Sequence, residues 1–357
     1  MRVIAGIDLG GTAINYTLLA AGQSDGEGQK FLIEGLCEHP ARSREGPAVC
    51  LRQIADGLEI AAAKSGIPLT EIKFAGLDTP GPASATGVLS ARGSTNFVHP
   101  DWSGFDIRAG LQARLGIPVT YLNDANAAAL WGHFATIGAD LASDAKLTSI
   151  SVIVGTGNGG GVIVKGKIVS GRNGFGGELG HVLIPYQSIA GIEGLRPECN
   201  CGRIGDLESV CSLTGIERNL LPYFLQKYPG HPLATAGEKA AKLVRGHAEQ
   251  GDSMCRDIFR VQARALGLFF DEMVNIFDPD MLIVGGGAIE TSPEFQQWLL
   301  AEIRAGMPAQ RVEQADIPIR IMPNGDTAGA RGAAIRALEM WRRQSGRRKS
   351  DHAHAGS

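Results

Sequence analysis

The chain has 357 residues, with 34 Lys and Arg against 37 Asp and Glu, so its formal net charge is −3. This length corresponds to two or three domains of roughly 100–200 residues, and the near-neutral charge gives no general reason to bind nucleic acid or an anionic membrane. Glycine is the unusual residue: 49 residues are Gly, about twice the average share of roughly 7%. This excess predicts tight turns and places where the backbone closely approaches another group.

Other totals exclude further classes of protein. No apolar run reaches the roughly 18 residues needed to span a bilayer, and the first residues enter a strand pattern directly, without a signal peptide. Six cysteines in a chain of this length do not indicate a disulfide scaffold. We therefore expect a cytoplasmic protein that binds neither nucleic acid nor a membrane.

The first part of the chain alternates strand and helix patterns. A buried strand runs into a Gly-Gly turn and a second strand, and a later strand ends on polar residues just before an Ala- and Leu-rich helix. The predicted elements in chain order are strands at 2–9 and 14–20, a helix at 47–64, a strand at 73–81, a helix at 106–116, a strand at 118–124 and a helix at 125–136.

The second part begins with the same plan as the first. Residues 149–171 form a strand, a Gly-rich turn, a strand, a turn and a strand, so the duplication predicts two related domains. Residues 237–277 are mostly helical, and the mixed order of strands and helices predicts an α/β fold. The remaining elements are strands at 280–289 and 317–323 and a helix at 326–343.

Two Gly-rich turns, at 8–12 and 155–157, each follow a buried strand. Gly lets the main chain come close to a ligand, and the N–H groups of such a turn suit phosphate oxygens. Asp8 at the first turn is a candidate ligand for Mg²⁺, directly or through water. The alternative is a pair of ordinary hairpins; the repeated design and a third Gly run at 284–288 argue against it. The G-x-G-x-x-G pattern at 155–160 is not a dinucleotide fingerprint, because a strand follows it.

Several motifs together resemble one family. ELGH followed by C-x-C-G is specific to the ROK family, which contains sugar kinases, related repressors and uncharacterised reading frames. The resemblance covers about residues 2–340. The segments that carry it are DLGGT (8–12), LNDANAAALWG (122–132), GTGNGGG (155–161), GGELGH (176–181), CNCGRIGDLES (199–209), VGGGA (284–288) and AGARGAA (328–334).

The resemblance implies an α/β fold of two ribonuclease-H-like lobes of the actin-like ATPase type, with the active site in a cleft between them. A small lobe is expected at 1–123, completed by the C-terminal helix at about 325–343. A large lobe is expected at 124–324, and a flexible tail at 344–357. The resemblance also implies a homodimer formed through the large lobe.

The implied activity is ATP-dependent phosphorylation of a hexose hydroxyl, with glucose as the first choice. This reaction needs a base within hydrogen-bonding reach of the hydroxyl, and the resemblance assigns that role to Asp124; taken alone, Asn123-Asp124 also fits a helix N-cap. The implied sugar-binding residues are Gly81, Asn96, Asn123, Asp124, Glu178, His181 and Glu208, and the implied MgATP-binding residues are Asp8, Gly10, Gly11, Thr12, Gly155, Thr156, Gly157, Gly285, Gly286 and Gly287.

Other substrates and functions stay open at this point. N-acetylglucosamine, N-acetylmannosamine, fructose, mannose and allose kinases of the family use similar residues. A non-catalytic sugar sensor would carry a DNA-binding helix-turn-helix before the first strand, whereas the first strand here begins at residue 2. A protein-directed ATPase of the same fold would not need the sugar-binding residues.

The segment after residue 198 departs from the family pattern. Members that bind zinc carry C-x-C-G-x-x-G-C-x-E and a His, whereas here Asp206 occupies the third Cys position. Three outcomes remain open: Asp206 completes a zinc site with His181, Cys199 and Cys201, since zinc accepts carboxylate; Cys211 replaces the missing ligand; or hydrogen bonds hold the segment without metal.

Overall fold

The computed structural model describes residues 2–21, 29–90, 96–137, 146–308 and 311–354, with side chains described as far as residue 344. The strands are β1 (Arg2–Leu9), β2 (Ala13–Ala21), β3 (Lys30–Phe31), β4 (Glu38–Pro40), β5 (Ile72–Thr79), β6 (Val119–Asn123), β7 (Ser149–Val154), β8 (Asn158–Val164), β9 (Lys167–Ile168), β10 (Met281–Gly285) and β11 (Ile319–Ile321). The helices are α1 (Pro47–Lys64), α2 (Ile107–Leu115), α3 (Asp124–Ile137), α4 (Leu207–Val210), α5 (Leu213–Gly215), α6 (Leu221–Lys227), α7 (Ala240–Glu249), α8 (Ser253–Phe277), α9 (Pro293–Ala305), α10 (Val312–Ala315) and α11 (Ala328–His354).

The chain divides into two compact units. The first comprises Met1–Ala145, Lys167–Gly177 and Asn324–Ser357, and the second comprises Lys146–Gly166 and Glu178–Pro323. The first unit therefore extends beyond the boundary predicted at residue 123. The reason is that α3 packs against α11, with Gly332 so close to the backbone of Ala127 that a Cβ there would overlap it.

The first unit is built on a sheet with the strand order β3-β2-β1-β5-β6, and β4 also pairs with β2. β1 and β2 are antiparallel, whereas β1, β5 and β6 run parallel to one another. α11 packs on β1 and β5, and Gly6 and Gly76 allow that close approach, because a Cβ on either would overlap a carbonyl oxygen of α11. The backbone of α11 continues to His354, past residue 343, where we predicted a flexible tail to begin.

The second unit contains a sheet with the order β11-β10-β7-β8. β7 and β8 are antiparallel, and β7, β10 and β11 are parallel. This sequence of one antiparallel and two parallel pairings is the same as that of β2-β1-β5-β6 in the first unit. The duplication and the α/β class predicted from the sequence are therefore confirmed.

The long helix α8 lies in the core of the second unit, where Ile258, Phe259, Phe269 and Phe270 are buried. None of the helices in the described part of the chain is both long enough and apolar enough to cross a lipid bilayer.

Candidate functional site

In the first unit, three carboxyl groups lie close together at the C-terminal ends of the parallel strands. Asp8 on β1 is directly opposite Asp78 on β5, and Asp124 begins α3 just after β6. Burial raises the pKa of Asp8, and a hydrogen bond with Asp78 partly opposes the rise. Burial, and then the negative charges of Asp8 and Asp124, raise the pKa of Asp78 well above its usual value. Ionisation of Asp78 is therefore disfavoured both by its burial and by the two neighbouring carboxylates.

This cluster fits a hard cation. Asp78 is fully buried, and in the described part of the chain no N–H or O–H group donates to either of its oxygens. Carboxylate oxygens are the ligands that Mg²⁺ prefers, so Asp8 and Asp78 together fit this ion. The sequence analysis did not identify Asp78, although the strand pattern at 73–81 placed it at a strand end.

The Gly10–Thr12 turn is fixed from two sides. The N–H of Gly10 donates to the carbonyl of Ala13 at 2.9 Å, closing the turn. The hydroxyl of Ser43 lies 2.9 Å from the carbonyl oxygen of Gly11 and 3.1 Å from that of Asn96. Ser43, which the sequence analysis missed, thus holds the predicted phosphate-binding turn beside the predicted sugar-binding Asn96.

Asn123 and Asp124 are held at the beginning of α3. Asn123 Oδ1 accepts from the N–H groups of Ala125 at 3.0 Å and Asn126 at 3.4 Å, and Asp124 Oδ1 accepts from Ala125 at 2.7 Å. Asn123 therefore caps the helix, as its alternative interpretation predicted. Gly81 lies beside it, since a Cβ on Gly81 would be 3.5 Å from Asn123 Nδ2.

In the second unit, the Gly155–Gly157 turn is fixed by Glu208 and the segment after it. Glu208 Oε2 accepts from the N–H of Asn158 at 2.9 Å, and a Cβ on Gly157 would lie 2.7 Å from the same oxygen. The N–H of Thr214 donates to the carbonyl of Thr156 at 3.1 Å. β8 follows the turn, which confirms that the Gly pattern does not open a helix.

A cavity of about 370 Å³ lies beside this turn. Gly155 and Thr156 lie on one side of it and Gly287 on another, where the Arg245 guanidinium donates to the Gly287 carbonyl. Gly286 has φ 95° and packs on the backbone of β7. The apolar lining residues are Leu213, Ile216, Ala241, Phe259 and Ala288, and the polar ones include Ser212, Lys242 and Gln262. Its size and mostly apolar lining suit the base of a nucleotide.

Glu178 and His181 flank a short 3₁₀ turn, Leu179–His181. Gly180 in this turn packs so closely on Asn158 of β8 that a Cβ would overlap the backbone. Glu178 is exposed, and His181 is partly exposed. The turn thus places Glu178 and His181 near Asn158 of β8, whose N–H donates to the third predicted sugar-binding residue, Glu208.

His181, Cys199, Cys201 and Asp206 form a compact set of donor atoms, all within 4.8 Å of one another. His181 Nδ1 is 3.1 Å from Asp206 Oδ2 and 3.7 Å from Cys199 Sγ, and Cys201 Sγ is 3.4 Å from Asp206 Oδ2. Sulfur, imidazole nitrogen and carboxylate oxygen are all zinc ligands, so the residues fit this metal. Cys211 is instead buried in the apolar core.

Asp206 is buried and strongly hydrogen-bonded. Burial alone would raise its pKa, but hydrogen bonds from His181, from Cys199 and from the N–H of Ser209 outweigh that effect and lower it. Cys199 Sγ also lies 3.4 Å from Glu208 Oε1. Through Glu208, the donor cluster is therefore connected to the Gly155–Gly157 turn.

Comparison with known proteins identifies the family. The ROK family model matches residues 4–340. The chain belongs to the ROK family. This confirms the resemblance found in the sequence motifs.

Two relatives of this chain are named as sugar kinases. The chain is 33% identical over 293 residues to a glucokinase from Thermotoga maritima, covering 80% of this chain and 81% of that protein. It is 30% identical over 261 residues to an N-acetyl-D-glucosamine kinase from Pectobacterium carotovorum, covering 71% of this chain and 77% of that protein.

A solved ROK structure shares the fold. The ROK family glucokinase from Streptomyces griseus, in complex with glucose and AMPPNP, matches with a TM-score of 0.65 and 26% identity, covering 94% of this chain and 99% of that chain. This similarity to a solved structure of the family confirms the predicted fold class.

Proposed function

We propose that this ROK protein is a sugar kinase that transfers the γ-phosphoryl group of ATP to a hexose hydroxyl, with glucose as the substrate. The observation that carries the proposal is the likeness, over 94% of the chain, to a ROK glucokinase in complex with glucose and AMPPNP. AMPPNP is an analogue of ATP, so that complex contains counterparts of both proposed substrates.

In the first unit, Asp124 accepts the proton of the sugar hydroxyl that attacks the γ-phosphorus. The hydrogen bond from the Ala125 N–H to its Oδ1 fixes the carboxylate, so the base is oriented before the sugar arrives. Asn123, Gly81 and Asn96 are the other proposed sugar-binding residues of this unit. In the second unit, Glu178, His181 and Glu208 exchange hydrogen bonds with the vicinal hydroxyl groups.

The nucleotide is bound through main-chain groups and the cavity. The N–H groups of Gly11 and Thr12 in the first turn, and of Thr156 and Gly157 in the second, donate to phosphate oxygens. The N–H groups of Gly10 and Gly155 instead donate to carbonyl oxygens of their own turns. The base enters the cavity beside Gly285–Gly287. Asp8 would hold Mg²⁺, which would supply positive charge to neutralise the phosphoryl oxygens.

We also assign a zinc ion to His181, Cys199, Cys201 and Asp206, where the four donor atoms converge. Through Cys199 and Glu208 the zinc-binding segment supports the Gly155–Gly157 turn. A cytoplasmic location and a homodimer remain predictions from the composition and the family resemblance.

A panel of sugars tests the proposal. The purified protein would be assayed with ATP and glucose, mannose, fructose, allose, N-acetylglucosamine and N-acetylmannosamine, by coupling ADP formation to NADH oxidation. We expect the highest kcat/KM with glucose. A higher value with N-acetylglucosamine would favour the activity named for the Pectobacterium relative, and ATP hydrolysis that no sugar stimulates would contradict a sugar kinase.

A further inference from the structure

Gln262 is the buried amide side chain of the cavity beside Gly155–Gly157. It lies on α8, is only 3% exposed, and lines the cavity. Its Nε2 donates to the carbonyl oxygen of Val210 at 3.1 Å and to that of Ser212 at 3.2 Å. Both hydrogens of the amide nitrogen are therefore used within the protein.

These two bonds fix which way the amide points. Rotating it by 180° would set Oε1 against two carbonyl oxygens, so that orientation is unfavourable. Oε1 has no hydrogen-bond partner among the described residues. It is nevertheless not fully enclosed by the protein. An acceptor with unused capacity therefore keeps accessible surface on a residue that lines the cavity.

The rest of the cavity sets the orientation of a nucleotide. The main-chain N–H of Thr156 is positioned for a phosphate, since that of Gly155 donates to the Gly157 carbonyl. Ile216, Phe259 and Ala288 provide an apolar lining for a base. Covering Oε1 with a bound base costs free energy unless that base presents a hydrogen-bond donor to it, so the acceptor favours such a base.

We propose that Gln262 selects the base of the phosphoryl donor: its Oε1 accepts a hydrogen bond from the 6-amino group of adenine. This inference rests on the proposed kinase function for its enzymatic readout. A purine without the 6-amino group leaves Oε1 unpartnered, and a 6-oxo purine presents an acceptor in the same place. Gln262 is thus a specificity-determining residue that the sequence motifs did not reveal.

The test compares ATP with purine riboside 5′-triphosphate, which differs only in lacking the 6-amino group, and with GTP. In the wild-type protein we expect kcat/KM with ATP to exceed that with each of the other donors by about tenfold or more. In Gln262→Met, which keeps the side-chain volume but has no amide, the ratio of ATP to purine riboside triphosphate should fall to near one.

A matched control is Gln296→Met. Gln296 on α9 also donates from Nε2 to a backbone carbonyl, that of Ile289 at 3.1 Å, but it does not line the cavity. This variant should keep the wild-type ratio. Because each ratio is internal to one protein preparation, a general loss of folded protein does not change it.

Calorimetric titration of each nucleotide, without sugar, separates the two proposals. A tenfold preference for ATP that Gln262→Met abolishes would support the inference even if no sugar were phosphorylated. Equal affinities in the wild-type protein, or a preference that survives Gln262→Met, would overturn it. Tighter binding of GTP than of ATP would also overturn it, because Oε1 would then not be facing the 6-position of the purine.

Discussion

At the scale of single residues, Asp206 has two separate roles, one for each carboxylate oxygen. Oδ1 accepts from the N–H of Ser209 at 2.9 Å and so caps α4. Oδ2 faces His181 Nδ1 and Cys201 Sγ. A cysteine at this position would supply a sulfur ligand but a much weaker acceptor for the helix cap. The departure from the family motif therefore exchanges one kind of metal ligand for another that also caps the helix.

The zinc assignment predicts a measurable metal content. Protein purified without chelator should contain close to one equivalent of zinc by plasma mass spectrometry, and Asp206→Ala should lose most of it, because three ligands remain. Asp206→Cys restores the three-cysteine pattern and should retain zinc against a chelator longer than the wild type. Less than a tenth of an equivalent in the wild-type protein would contradict the assignment.

At the scale of secondary structure, the N-terminus of α8 is held by one side chain. Asp252 Oδ1 accepts from the N–H of Cys255 at 2.8 Å, and Oδ2 lies 2.9 Å from His231 Nε2. Burial opposes ionisation of Asp252, but these hydrogen bonds outweigh it and lower its pKa. Since α8 is the longest core helix described in the second unit, this cap contributes to the stability of the whole unit.

Replacing Asp252 should therefore have a pH-dependent effect. Asp252→Ala should lower the free energy of unfolding near pH 7 by about 0.5–2 kcal/mol, the usual cost of losing such a cap. A lowered folded-state pKa means that the ionic contribution is complete above the unfolded pKa of about 3.9 and is lost as the pH falls through the folded value. The difference in melting temperature between the two proteins should thus shrink as the pH falls below about 4.

Asp252→Asn is the control for this prediction. It keeps a side-chain oxygen for the helix cap but cannot ionise, so it should be less destabilising at pH 7 than Asp252→Ala. A difference between wild type and Asp252→Ala that stayed constant down to pH 3 would contradict the charged cap.

Local patterns predicted the longer elements well. The helix predicted at 47–64 and the strand predicted at 2–9 have the same bounds as α1 and β1, because their apolar residues follow the period of a helix or a strand. The short helices α4 and α5 had no such signal. They depend on caps from Asp206 and Ser212, and their four and three residues are too few to show a helical period.

At the scale of the whole molecule, the two sheets have the same strand pairing, and each contains a hairpin of two consecutive strands. A hairpin joins residues near in sequence, so the duplication was visible in the strand–turn–strand patterns. The parallel pairings of β5 and β10 join distant segments, and their arrangement could be expected only from the family resemblance.

Residues of the candidate site that depend on distant pairing were missed for the same reason. Asp78 gains its role from its pairing with Asp8. Ser43 does so by contacting the carbonyls of Gly11 and Asn96, and Gln262 by donating to those of Val210 and Ser212. Part of the glycine excess also has a different cause, since Gly6 and Gly76 accommodate α11.

The central claim is that Asp124 is the base of a sugar kinase, and one substitution tests it most directly. Asp124→Asn keeps the side-chain size and an oxygen that can accept from the Ala125 N–H, so the melting temperature should stay close to that of the wild type. With ATP and glucose in the coupled assay, kcat should fall by about 10²–10⁴-fold, because a neutral amide cannot accept the hydroxyl proton. Near-wild-type turnover by the folded variant would contradict the account.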